Sequence, residues 1–125
     1  MKSLQGLQEL YDKIQEYLNM EEEISFAEFN SYYKDVMSVL ADKNESFEED
    51  DIWKALFIIE NLMSNADSRA SESKGSTAKK YKKMSERTTL WSKNLASRLH
   101  KFGYTEEQIN ERFEGMLEEG TVKAE

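Results

Sequence analysis

The chain has no cysteine and no proline, and only one histidine. Without cysteine there is no disulfide framework, no thiol nucleophile and no thiolate metal site, which closes the zinc-finger and redox classes and makes a reducing cytoplasm the expected location. Without proline, long helices run unbroken and a strand-and-turn architecture is disfavoured. Long hydrophobic runs are also missing. The longest apolar stretch, over residues 52–59, is interrupted by Lys54, and the first ten residues, MKSLQGLQEL, lack the apolar core of about 7–15 residues that marks a signal peptide. The expectation is a chain that neither spans nor enters a membrane.

What remains is 125 residues with 38% apolar and 34% charged side chains. That length suits one domain over 1–125, burying about two-thirds of its unfolded surface. The balance of apolar and charged residues fits amphipathic helices with solvated outer faces better than a sheet core.

Apolar spacing and helix punctuation predict five helices in an all-α bundle. Leu4, Leu7, Tyr11, Ile14 and Leu18 form one stripe of a first helix. Ser25 and Glu28 form a capping box, with Ile24 and Phe29 as its hydrophobic staple, opening a second helix whose stripe is Phe26, Phe29, Tyr33, Val36, Met37 and Leu40. A further box, Ser46 with Glu49, opens a third helix, with Asp50 and Asp51 favoured by the helix dipole in its first turn. Ile52, Trp53, Ala55, Leu56, Phe57, Ile58, Ile59, Leu62 and Met63 cover nearly its whole circumference, which makes it the central helix.

Residues 64–77 are Ser, Asn, Asp and Gly-rich with no aliphatic side chain larger than Ala, and read as a mobile loop that orders when a partner arrives. The stripe Tyr81, Met84, Thr88, Trp91, Leu95, Leu99 and Phe102 then defines a fourth helix. Gly103 is placed to end it in a Schellman stop, with Tyr104 reaching back to Leu99. Thr105 with Gln108, stapled by Tyr104 and Ile109, opens a fifth helix through Phe113, Met116 and Leu117 towards Gly120, leaving a frayed tail over 121–125.

The strongest functional signal is a change in charge sign. Residues 1–64 hold five Lys/Arg and fifteen Asp/Glu, residues 65–104 hold ten and three, and residues 105–125 hold two and seven, for an overall charge of −8. A chain segregated in this way either folds its basic stretch onto its own acidic helices or presents it to a partner.

Each candidate chemistry has a plainer counterpart. The stretch 79–101, with Lys79, Lys80, Lys82, Lys83, Arg87, Lys93, Arg98 and Lys101, has the makings of a phosphate ridge with Tyr81 and Trp91 as stacking platforms. Both aromatics, however, fall on the apolar stripe. Residues 94–117 have the outline of a helix-turn-helix, but Glu106, Glu107, Glu111 and Glu114 would repel DNA from the second helix, which leaves an ordinary αα-hairpin. The segment from Asp42 fails as a calcium loop, with Phe47 where a turn glycine belongs and Trp53 where a bidentate Glu belongs.

Glu9 with Asp12 and Glu48 with Asp51 have the spacing of magnesium-holding carboxylate pairs, yet such spacing arises freely among 25 acidic residues. His100 has no carboxylate one turn away to orient it as a base. Glu21, Glu22 and Glu23 with Glu45, Glu48, Glu49, Asp50 and Asp51 would suit mimicry of a nucleic-acid backbone if the fold gathered them, although solubility explains them too.

The expectation is therefore a non-catalytic binding protein (an adaptor, inhibitor or complex subunit), without cofactor or metal, acting on a protein partner through Lys79, Lys80, Lys82, Lys83 and Arg87. Direct nucleic-acid binding by 79–101 is the alternative, followed by a magnesium-dependent hydrolase or an acidic nucleic-acid mimic. The all-round apolar third helix leaves both a monomer and a homodimer open.

Overall fold

The computed structural model describes the backbone of residues 2–20 and 22–124 and the side chains of 6–20 and 22–118. Leu4 of the first stripe, Glu21 of the acidic group and Glu125 of the tail fall outside these side chains. Five α-helices, α1 (Lys2–Leu18), α2 (Phe26–Lys43), α3 (Glu49–Glu72), α4 (Gly75–Lys101) and α5 (Glu106–Ala124), form an all-α bundle, with one 3₁₀ turn (Asn44–Ser46) between α2 and α3. Among the described residues there is no strand.

The core is built around α3. Phe57, Ile58, Ile59 and Ala66 are fully excluded from solvent, and Ile52, Trp53, Ala55, Leu56 and Leu62 are nearly so. Of the nine apolar side chains read around α3, Met63 alone stays partly exposed, so neighbouring helices of the same chain cover most of its circumference. The most extensive packing is α3 on α4; α1 lies against α3, α2 and α5.

The composition-based loop over 64–77 is not what forms. Instead α3 continues to Glu72 and α4 begins at Gly75, so only Ser73 and Lys74 join them. A two-residue link between closely packed helices requires an antiparallel hairpin. Gly75, at φ +65°, supplies the backbone conformation for the reversal. The small residues that resemble a linker serve packing: Ala66 and Arg69 continue the buried stripe of Leu62 at helical spacing, while Asp67, Ser68, Ser71 and Glu72 face water.

The third helix also starts differently from expectation. Its N-cap is Glu48, whose N–H donates to Asp51 Oδ2 at 2.9 Å; Ser46 lies in the 3₁₀ turn. The physical reason is the staple. A cap at Glu48 places Phe47 at N′ and Ile52 at N4, both packed into the core, whereas a cap at Ser46 would place Glu45 and Asp50 there.

At α2, Ser25 Oγ accepts the N–H of Glu28 at 3.1 Å as expected, but the Glu28 carboxylate turns away from the backbone to accept the Tyr17 hydroxyl at 2.8 Å. At the far end α5 extends past Gly120 to Ala124, so the segment expected to fray is helical in its backbone as far as Ala124.

The turn between α4 and α5 forms as the sequence indicates. Tyr104 N–H donates to Leu99 O at 3.2 Å and Gly103 N–H to His100 O at 3.0 Å, the two bonds of a Schellman stop. Thr105 and Gln108 then exchange both bonds of a capping box, at 2.9 and 3.1 Å. Gly103 sits at φ +104° with open space where a Cβ would project. Gly103→Ala is therefore expected to lose about 1–2 kcal/mol through backbone strain alone. Urea unfolding checks this, and an unchanged midpoint would contradict it.

Candidate partner-binding groove

Two helices that do not pack closely leave a groove between them. The α2 wall comes from Phe26, Asn30 and Lys34, spaced by four and so aligned along one face, with Tyr33 beside them. The α4 wall comes from Lys80, Lys83, Met84, Glu86, Arg87 and Leu90. The opening is about 730 Å³.

Its floor is set from beneath by aromatic packing. Tyr81 is buried, with its ring edge-on to Phe26 at 5.2 Å and to Phe29 at 5.6 Å, which fixes the position of Phe26. Lys80 Nζ lies 5.7 Å from the centre of the Phe26 ring, within cation–π range. Tyr33 is half-buried; desolvation raises its hydroxyl pKa and the nearby Arg87 charge partly offsets this. Leu90 remains 67% exposed at the end of the groove.

Lys34, Lys80, Lys83 and Arg87 thus surround an apolar floor against a single carboxylate, Glu86. Among the described residues none of these four cations, nor Lys79 or Lys82, makes an ion pair. Within the described residues Lys79, Lys80, Lys82, Lys83 and Arg87 thus face solvent and are not paired with the acidic helices.

Of the five residues singled out in the sequence, Lys80, Lys83 and Arg87 line the groove; Lys79 and Lys82 are exposed on α4 outside it. Sequence reasoning missed Lys34, Asn30, Tyr33 and Leu90. Leu90 was detectable as a large apolar residue one position off the α4 stripe. Lys34 was not, because nothing local shows that it faces residues 46 or more positions away.

The other candidates are committed elsewhere. Tyr81 cannot stack on a base, since its ring is buried and its hydroxyl accepts from Arg69 at 3.1 Å. Arg98 donates to Asn44 O and Oδ1 at 2.8 and 2.7 Å, tying α4 to the α2–α3 corner. His100 Nδ1 donates to Tyr104 O at 2.8 Å. Asp12 accepts from Gln8 at 3.0 Å, and Asp51 caps α3.

Among the described residues, no three His, Asp or Glu side chains are placed to share a metal ion. The gathering of acidic groups that mimicry would need is not found among the described residues. Glu22 and Glu23 precede α2 and Glu45 to Asp51 follow it, so they are separated by 18 helical residues, a rise of about 27 Å.

No helix among the described residues is long and apolar enough to cross a membrane. No family model, curated protein or solved structure matches the chain.

Proposed function

We propose that the protein is a non-catalytic adaptor, inhibitor or subunit that binds an acidic, partly apolar segment of a protein partner in the α2–α4 groove. The observation carrying this reading is the set of four cations, unpaired among the described residues, around an apolar floor. A segment with acidic side chains along its edges and one or two apolar anchors complements it in both charge and hydrophobicity.

Nucleic-acid binding is the weaker reading, because the groove offers no freely exposed aromatic platform and Glu86 stands in its wall. The test is recovery from nuclease-treated native lysate on the wild type and on a K80E/K83E/R87E variant, followed by competition with the recovered protein's acidic segment as a synthetic peptide. Recovery that survives nuclease, disappears with the variant and is competed by the peptide supports the reading. Recovery that is unchanged in the variant, or lost on nuclease treatment, overturns it.

A further inference from the structure

A second site lies at the junction of α1, α2 and α3. Arg69 is nine-tenths buried there. Its Nη1 donates to Tyr81 Oη at 3.1 Å, its Nη2 to Ile24 O at 2.8 Å, and its guanidinium lies 4.6 Å from the centre of the Phe29 ring. Its Nε–H is buried with no acceptor among the described residues. The nearest described carboxylate, that of Glu23, is 4.0 Å away with 75% of its side chain exposed. A buried cation is normally closely paired, and a buried N–H normally bonded, because desolvation is otherwise uncompensated.

Arg69 forms part of the wall of a cavity of about 240 Å³. Ile14, Leu18, Phe29 and Leu62 supply apolar wall, and Asn65 adds a polar group with no partner among the described residues. The two tyrosines in the wall are committed: Tyr17 donates to Glu28 and Tyr32 to Leu10 O, and burial raises both hydroxyl pKa values. At the mouth, Leu18 and Met20 are 43% and 47% exposed, two of the four large apolar side chains so exposed among the described residues.

We infer that this cavity binds a small amphipathic carboxylate, whose anionic head pairs with Arg69 in place of Glu23 and whose apolar tail fills the wall formed by α1 and α3. With one buried guanidinium, no second cation and the exposed carboxylates of Glu22 and Glu23 also in the lining, the cavity suits a monoanion that displaces Glu23 better than a phosphate ester. At roughly 30 Å³ per water, the volume corresponds to about eight waters, and so to a ligand of about ten non-hydrogen atoms.

The test uses octanoate as the probe and 1-octanol as its uncharged analogue, titrated into the full chain while NMR follows the Arg69 Nε–H and the methyl groups of Ile14, Leu18 and Leu62. Saturable octanoate shifts at these groups, with affinity at least about tenfold above that of octanol, are expected. Asn65→Phe, which fills the cavity and leaves Arg69 in place, is expected to abolish them; Leu18→Trp, at the exposed mouth, serves as a second blocking variant. Equal affinity for octanoate and octanol, shifts that do not saturate, or binding that persists in both folded variants would overturn the inference.

Discussion

Reversing three groove charges together, K80E/K83E/R87E, is expected to weaken partner binding at least about a hundredfold while shifting Tm by less than about 2 °C. An exposed charge pair is worth up to about 1 kcal/mol, and a like-charge contact costs a similar amount. Three reversals therefore remove about 3 kcal/mol or more, which is about two decades of affinity. The fold loses little, because Lys80, Lys83 and Arg87 are exposed and make no ion pair among the described residues. The wild-type interaction should also weaken as salt rises, since exposed charges are screened over about 8 Å at physiological ionic strength. Titration of the partner segment at two salt concentrations, with a thermal melt of each variant, reads both effects. A large loss of Tm would show that the cations support the fold instead.

The largest stability effect is expected at Phe57. Its side chain is fully excluded from solvent, packs edge-on to Tyr11 of α1 at 5.4 Å and meets Phe113 of α5 at 5.1 Å. Three helices thus meet on one ring. Phe57→Ala is expected to cost about 3–5 kcal/mol, the transfer energy of the ring plus the cavity it leaves. For a chain of this size that corresponds to a fall in Tm of more than about 10 °C. The loss should be felt first in α5, whose other ties to α3 lie nearer its start: Tyr104 edge-on to Trp53 at 5.1 Å, the Tyr104 hydroxyl on Glu49, and Arg112 over Trp53 at 5.0 Å. Hydrogen exchange that accelerates in α5 before α3 and α4 would confirm the order. A loss under about 1 kcal/mol would mean that neighbouring side chains close the cavity.

The helices that sequence reasoning places well are those with local signals. The Gly103 stop and the Thr105–Gln108 box form as the residues indicate, because each involves bonds between residues at most five positions apart. The central place of α3 follows from apolar residues on all its sides.

The 64–77 segment shows where such signals fail. Ser, Asn, Asp and Ala are equally at home in a linker and on the outer face of a long helix, and the decision comes from Ala66 and Arg69 docking beneath neighbouring helices. The choice between Ser46 and Glu48 as cap was likewise decided by whether Phe47 and Ile52 reach the core. In the groove, the α4 half was visible as a run of lysines. Its α2 half depends on tertiary placement, and so does the buried Arg69, whose partners Ile24 and Tyr81 are 45 and 12 positions away.

The groove itself is tested most directly by placing a photo-crosslinking amino acid at Leu90, which is 67% exposed at its edge, and at Glu107, which is exposed on α5. Nuclease-treated lysate is then irradiated and the adducts are mapped by mass spectrometry. Binding in the groove predicts adducts from position 90 on an acidic segment of one protein, absent from position 107 and abolished by K83E/R87E. Adducts on nucleic acid, or the same adducts from both positions, would contradict it.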